Sequence, residues 1–502
     1  MKNDRGYLIL LLLISFPLSL YLFFRTYVIS LDGAFQYIPL AKAFGTGTFR
    51  EALRTTGQQP LYPFLMALAS SLIPDMEIAG RLVASLMGLL LVFPLYFLGK
   101  QLFNQRVAFL STLLLALHPS IRRFSADVLK ESTYLFFLAM ALWLTWRTLH
   151  REEKFSFLLI PLWSLPAYLV RPDGVEVLLV TFFYIFWAKP FSKPLDRWIA
   201  LSFLSLSALV LSLPYLLSLK EITGEWTLSK TKSIFELFGL GGEGDRPPLL
   251  DRGLFALKKV NQEVVGVYHP LYLLLLLLGG LSRRSNLFRN GEGFLFFCFV
   301  LHYVILFLLA LNITVWGNEG GIQAFHFSGR HVLPLLLFSI YWVGFGLEAF
   351  SKGLRRKVES NGRLSHLSPK TRGIFLWTTL LMLITAILLP KTLKPQRYER
   401  LPEKWAGIWI KEHLGRGKTL FTTIPRVAYY AEGGFEFLDL DRIKIEQAIG
   451  WMKERNGFYL VLREREAQKD PSGWDALREG FVELGRFGEE SMEKVIVYRR
   501  NP

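Results

Sequence analysis

The sequence has almost no cysteine. Cys298 is the single one among 502 residues and lies inside an apolar run. No disulfide framework can form, and no zinc or iron–sulfur site can be built on thiolates; Cys298 reads as a small core or lipid-facing residue. Acidic side chains are also short in supply, 41 Asp and Glu against 58 Lys and Arg, giving a net charge of +17. In a soluble protein that excess would point toward nucleic acid. Here the basic residues concentrate in short loops between apolar runs, where membrane topology and anionic headgroups favour them, and no nucleic-acid partner is expected. What the chain has in plenty is apolar sequence, 52% of its residues. It is unevenly spread: runs such as Tyr7–Phe24, Leu271–Leu278 and Phe294–Leu311 alternate with polar stretches, and from Gln396 onward the sequence reads as ordinary soluble protein.

This division implies an α-helical polytopic membrane region, residues 1–392, followed by a soluble domain, residues 393–502. The first apolar run follows Lys2 and Arg5 and continues to Val28 without a small-residue cleavage site. It is longer than a signal-peptide core and reads as a retained helix.

Basic loops set the orientation. Lys2 and Arg5, Lys100 and Arg106, Arg147 to Lys154, Lys189 to Arg197, Arg283 to Arg289 and the dense stretch Lys352–Arg372 all belong on the cytoplasmic side. The spans between them are 6–28, 79–99, 107–120, 128–147, 155–170, 174–188, 198–218, 266–281, 293–315, 329–349 and 373–390, about eleven helices. Several have only ~15 residues against the ~20 of an upright span, so their ends extend into the flanking loops. Pro60–Ile73 does not cross, because a crossing there would reverse every later loop; it reads as an interfacial helix within a large first external loop, 29–78. This predicts a multi-pass plasma-membrane protein with a cytoplasmic N-terminus and an extracytoplasmic C-terminal domain. In that domain, strands at 418–423, 435–440, 458–463, 481–487 and 494–499 alternate with helices at 401–414, 427–431, 443–455 and 474–480. The pattern predicts a small α/β layer with a mostly parallel sheet.

Chemistry on the external face would have to come from a few charged residues. Asp32, in Ser30-Leu31-Asp32-Gly33, reads either as the N-cap of a helix over 34–44 or as a general base at the membrane boundary. Asp127 and Glu131 share a helix face at i,i+4, within the charged stretch Arg122–Glu131. They are either helix-start acids or the wall of a site. Arg171, in Arg171-Pro172-Asp173-Gly174, and Arg330, in Gly329-Arg330-His331, could snorkel to headgroups or hold a phosphate in a guanidinium fork; Arg81 could do either as well. Asp75 and Glu77 precede a helix, where acids commonly cap. No Asp-x-Asp motif or metal-ligand spacing occurs in these loops, so a divalent metal is conceivable but not indicated, and no cofactor is expected.

In order, Asp32, Tyr37, Ala41 and Gly45, then Gln59-Pro60-Leu61-Tyr62-Pro63, Arg81-Leu82, Gly88, Tyr96, Leu98-Gly99, Pro119, Asp127, Arg171-Pro172 and Arg330-His331-Val332-Leu333-Pro334 resemble the GT-C superfamily of integral-membrane glycosyltransferases. The branch is that of the protein O-mannosyltransferases and lipid A aminoarabinose transferases (families 39 and 83). The resemblance is best over about residues 7–180. It implies a GT-C-like fold and inverting transfer of a glycosyl group from a polyprenyl-phosphate sugar at the external face. Asp32 would be the general base and Arg330 the main contact of the leaving phosphate. Arg171, Arg81, Tyr62, Asp127 and Glu131 would be further substrate contacts, with no metal ligand; the acceptor could be protein, lipid or glycan. Two departures stand out: Gly33 replaces the second acid of many relatives, and Gln58-Gln59 takes the place of a basic residue before the Pro-Leu-Tyr segment. The alternatives from other classes are a transporter or flippase of lipid-linked sugars, or an inactive scaffold. No repeat between the halves supports the transporter.

Overall fold

A computed structural model describes residues 2–55, 58–151, 154–188, 191, 193–228, 246–284, 290–316, 322–324, 327–360, 368–440, 443–455, 457–468 and 471–501. Of the basic loop residues, Lys189, Arg289 and Arg363 lie outside the described residues, as do residues 229–245 and 317–321. The chain divides into two compact units, Met1–Tyr21 with Leu40–Lys394 and Leu22–Pro39 with Pro395–Pro502.

The first unit is helical, as lipid requires of a chain with no water to satisfy its backbone. Its elements are α1 (Lys2–Phe24), α2 (Ile38–Thr46), α3 (Phe49–Thr55), α4 (Leu61–Ser70), α5 (Met76–Leu90), α6 (Val92–Leu102), α7 (Gln105–Leu117), α8 (Pro119–Ser125), α9 (Glu131–Arg151), α10 (Ile160–Val170), α11 (Glu176–Ala188), α12 (Pro194–Thr223), α13 (Leu249–Val267), α14 (Pro270–Arg283), α15 (Asn290–Asn312), α16 (Leu333–Ser360) and α17 (Pro369–Leu393). Each predicted span overlaps a helix, but 266–281 runs across the junction of α13 and α14 and 155–170 begins in a 3-10 turn over Lys154–Leu159. Six helical stretches are long and apolar enough to cross a membrane on their own, and α5–α6 is one of them. Helices α4 and α7 and the stretch Phe155–Val170 are shorter apolar elements. Helices α13 and α14 meet at 102°. Proline at the first turn of α14 cannot donate a backbone hydrogen bond across the junction, and the charged, amphipathic α13 lies across the direction of α14. Asp75 caps α5 as expected, accepting from the N–H of Glu77 at 2.8 Å and of Ile78 at 3.0 Å.

Helices α14 and α16 pack backbone to backbone. A Cβ at Gly279 would lie 1.8 Å from the Trp342 carbonyl oxygen, and one at Gly346 would lie 1.8 Å from that of Leu275. Small residues at matched positions are what permit this approach between helices in lipid, where the hydrophobic effect does not drive them together. At one end of the unit, Asp4 accepts from Tyr96 Oη (2.8 Å), Lys100 Nζ (2.7 Å) and Gln105 Nε2 (3.0 Å). Glu348 lies 4.0 Å from Arg106 and 3.0 Å from Lys352. The N-terminal segment and two of the loops assigned to the cytoplasm are joined by these ion pairs.

The second unit holds a five-stranded sheet in the order β4-β3-β5-β7-β6, with β3 (Thr419–Thr422), β4 (Gly434–Phe437), β5 (Tyr459–Arg463), β6 (Phe481–Phe487) and β7 (Val495–Arg500); a separate antiparallel pair, β1 (Thr314–Trp316) and β2 (Ile322–Ala324), belongs to the first unit. Strand β3 runs parallel to β4 and β5, but β7 runs antiparallel to both β5 and β6. The sheet is mixed rather than mostly parallel, because residues 488–494 between β6 and β7 are too few for a crossover and close a hairpin instead. Helices α18 (Leu401–His413) and α19 (Pro425–Tyr430) contribute Ala406, Ile410, Val427 and Ala428 to one core, and α20 (Ile445–Glu454) contributes Ile445, Ala448, Ile449 and Met452 to the other.

Residues 22–39 are tied to this domain through their backbone. Tyr27 N–H donates to the Gln396 carbonyl at 3.2 Å and Gln396 N–H to that of Arg25 at 2.9 Å. Ile29 N–H donates to Tyr430 Oη at 2.9 Å, Arg426 Nε to the Ile29 carbonyl at 3.0 Å and Arg397 Nη1 to that of Val28 at 2.9 Å. Arg426 depends on buried Glu403, which also receives Arg463 and Arg400, at 3.1, 3.3 and 3.0 Å. Burial pulls the Arg426 guanidinium below its ordinary value, and the Glu403 charge opposes it. Removing one partner of a buried ion network leaves the others uncompensated. Glu403→Gln is therefore expected to destabilise the second unit by about 3 kcal/mol. Glu436→Gln, which breaks only the exposed pair with Arg455, should cost less than about 1 kcal/mol. Thermal unfolding of both variants in detergent, followed by protease resistance of the C-terminal domain, checks the contrast.

Candidate functional site

Three turns of the first unit come together. The first leads into α9 and carries Lys130 and Glu131. The second, a 3-10 turn over Pro172–Val175, joins α10 to α11 and carries Arg171 and Asp173. The third, a 3-10 turn over Gly329–His331, precedes α16 and carries Arg330. Arg171 joins the last two: its Nη2 donates to Asp173 Oδ2 at 2.6 Å and its Nη1 to the Arg330 carbonyl at 3.3 Å, while the guanidinium lies 4.9 Å from the centre of the Tyr134 ring. Stacking on an aromatic face and forking to a carboxylate are what a guanidinium does better than an ammonium.

Lys130 Nζ donates to Gln58 Oε1 at 2.6 Å, which brings the first external loop to the same place. Burial, together with the charge of Arg171, pulls the Lys130 ammonium down to about 8, with Arg330 adding to the effect and Glu131 opposing it. Burial would raise the Asp173 carboxyl, but the charge of Arg171, with Lys130 adding to it, outweighs burial and holds the group below the ordinary carboxylate range. Burial and the charges of Arg171 and Arg330 push the His331 imidazole down to about 3, so it is neutral at physiological pH. Glu131 is 1% exposed, and its Oε2 has no hydrogen-bond partner. The result is a cluster of three cations with the Asp173 carboxylate against one of them. A cavity of about 250 Å³ between α10, α11 and α12 is lined by Pro161, Leu165, Tyr168, Val175, Leu178 and Leu209 among others. Tyr168 and Val175 flank the Arg171 turn in sequence.

Next to Arg171 is a second group, drawn from other elements. His302, within α15, faces Glu176 Oε1 through Nδ1 at 2.7 Å and the His331 carbonyl through Nε2 at 2.9 Å. Among the described residues, Asp173, Glu176 and His302 form the one group of His and acidic side chains whose ligand atoms lie close enough for a metal ion, within 4.8 Å of one another.

The remaining sequence-derived residues occupy other environments. Arg81 is buried and pairs with Glu77 one turn earlier on α5. Tyr62 is fully buried and donates to the Gly80 carbonyl at 3.1 Å. Asp127 is fully buried, and its Oδ1 accepts from the Val128 N–H at 2.8 Å. Asp32 belongs to the second unit. Its carboxylate makes no capping bond; Ser30 takes that role, accepting the Gly33 N–H on Oγ at 3.1 Å. Asp32 is half-buried at the head of a π-helical turn over Gly33–Tyr37, a distortion that recurs at functional sites.

Lys130, Asp173, Glu176 and His302 were not singled out from the sequence. Lys130 and Asp173 sit inside stretches that were. His302 had its own signal, since an ionisable residue within an apolar span is functional or paired by default.

Residues 57–217 match the family described as dolichyl-phosphate-mannose-protein mannosyltransferase. No curated protein sequence matches the chain. Among solved structures, the chain is similar to ArnT from Cupriavidus metallidurans bound to undecaprenyl phosphate, with a TM-score of 0.60 and 11% identity, covering 98% of each chain. It is also similar to the Archaeoglobus fulgidus oligosaccharyltransferase in the apo form, with a TM-score of 0.54 and 12% identity over 97% of this chain and 75% of that one. The complex of the archaeal oligosaccharyltransferase AglB from Archaeoglobus fulgidus with an inhibitory peptide and a dolichol-phosphate gives 0.55 and 11%, over 96% and 73%.

Proposed function

We propose that this multi-pass membrane protein, which has the fold of the GT-C glycosyltransferases, transfers a glycosyl group from a polyprenyl-phosphate sugar to an acceptor on the extracytoplasmic face. The observation that carries this reading is the convergence of Lys130, Arg171 and Arg330, three cations from separate elements, with an apolar cavity whose lining includes Tyr168 and Val175 on either side of the Arg171 turn. A phosphate on an isoprenoid tail needs both features: charge-assisted donors for the headgroup and an apolar lining for the chain. ArnT and AglB were solved with undecaprenyl phosphate and a dolichol-phosphate, lipids of that chemistry.

In this reading Asp32 removes the proton from the acceptor's hydroxyl or amine. The acceptor atom then attacks the anomeric carbon from the face opposite the phosphate. The bond from that carbon to the phosphate oxygen breaks, the configuration inverts, and the polyprenyl phosphate leaves with the electron pair. Arg330 and Arg171 stabilise the charge that develops on the leaving oxygen. Glu131 Oε2, buried without a partner, accepts from a sugar hydroxyl.

The test is glycosyl transfer by purified protein in nanodiscs, with a panel of polyprenyl-phosphate sugars and cell-envelope acceptors. Asp32→Asn should lower turnover by ~10²-fold or more, the scale of a general base, with donor binding retained. Arg330→Ala should weaken donor binding and turnover together. Full transfer by Asp32→Asn would remove the base assignment. Donor binding without transfer in the wild type, across the whole panel, would favour a transporter.

Lys130 gives a pH dependence. Its pKa is lowered to about 8, so the cation is present below that pH and lost above it. Affinity for the polyprenyl phosphate should therefore fall as pH rises through about 8, and Lys130→Arg, which keeps its charge, should flatten that limb. Equilibrium binding of the lipid from pH 6.5 to 9.5 reads both.

A further inference from the structure

We propose that Asp173, Glu176 and His302 form a divalent-cation site. Their ligand atoms lie within 4.8 Å of one another, and three observations support a cation taking the place of the proton between Glu176 and His302.

First, Glu176 is 1% exposed, yet only one of its oxygens is engaged: Oε1 faces His302 and Oε2 has no partner. A buried carboxylate oxygen left unsatisfied is costly, and a metal ion is the ligand that removes that cost for a carboxylate. Second, His302 is oriented as metal-bound imidazoles are. A carbonyl can only accept, so Nε2, 2.9 Å from the His331 carbonyl oxygen, carries the proton. Nδ1, 2.7 Å from Glu176 Oε1, shares a proton with that carboxylate while no ion is bound, and a cation takes the place of that proton; a backbone carbonyl holding the far nitrogen is the usual outer support of a ligating histidine. Third, the group reaches solvent on one side only. Glu176 and His302 are sealed, whereas the Asp173 side chain is 20% exposed, which gives an entry path. Asp173 uses Oδ2 on Arg171, leaving Oδ1 for the ion.

Two carboxylates and one imidazole on a borderline donor set suit Mn²⁺ or Zn²⁺ better than Ca²⁺. Bonds of about 2.1 Å place neighbouring ligand atoms about 3.0–3.4 Å apart, so on binding the widest pair closes and the 2.7 Å contact between His302 and Glu176 opens. The three ligands come from a turn, the start of α11 and the interior of α15. No sequence spacing could announce them.

The assignment stands apart from the transfer reading, since neither lipid nor acceptor enters its test. The probe is Mn²⁺ added to the full chain in detergent after chelator treatment, followed by electron paramagnetic resonance and by equilibrium dialysis. The expected result is one Mn²⁺ per chain, with spin-echo modulation from an imidazole nitrogen. Glu176→Gln should weaken binding at least ~10-fold, and His302→Gln should abolish the nitrogen modulation. The wild-type spectrum decides the matter even if a variant fails to fold. No Mn²⁺ retained at millimolar concentration, or a bound ion without nitrogen modulation, overturns the proposal. So does equal binding by wild type, Glu176→Gln and His302→Gln.

Discussion

A guanidinium taken out of water needs partners for its donors and a counterion for its charge, and Arg171 finds both where two turns meet. Its side chain is 7% exposed. One arm lies on Asp173, the other on the backbone of Arg330, and its face on Tyr134. Each contact fixes something else. The Asp173 bond shapes the turn between α10 and α11. The bond to the Arg330 carbonyl fixes the backbone from which that side chain reaches out. One residue further on, the His331 carbonyl is held by His302. Two successive carbonyls of a three-residue turn are thus gripped from other elements, which is how a short, otherwise mobile segment can hold a cation in a defined place.

The second unit applies the same logic to Asp32. The chain from Leu22 to Pro39 has little core of its own, and its backbone groups are met by Gln396, Arg397, Arg426 and Tyr430 of the C-terminal domain. Phe35 adds a ring contact with Phe435 at 4.8 Å. A domain without a catalytic motif therefore has a definite physical task, to hold the acid-bearing turn. Glu403 is the point on which that task rests, because Arg426 reaches the Ile29 carbonyl only while its charge is balanced.

Most of the architecture was legible because it is written in composition and period. Apolar runs bounded by basic loops located helices, six of which are long and apolar enough to cross a membrane on their own, and strand alternation located all five strands of the C-terminal sheet within two or three residues. Strand direction was less legible, since it depends on whether seven residues can make a crossover, not on any strand's own pattern. At the site, the arginines were visible because charge at a helix end is unusual. Their partners were not. Glu176 and His302 are 126 positions apart, and nothing local to either names the other. Asp32 shows a finer failure: its own backbone is already helical, and the Ala34 N–H that its side chain would cap goes to the Ser30 carbonyl at 3.0 Å, so Asp32 makes no capping bond.

The account turns on whether the Arg171 and Arg330 turns bind a lipid phosphate. The most direct measurement is equilibrium binding of undecaprenyl phosphate and of the corresponding uncharged polyprenol to purified protein, for wild type, Arg171→Ala and Arg330→Ala. The account predicts that wild type prefers the phosphate strongly and that Arg330→Ala loses most of that preference while still binding the polyprenol. Arg171→Ala should lose more, because it also releases the Arg330 turn. Equal affinity of wild type for phosphate and alcohol, or a preference that survives both substitutions, would contradict it.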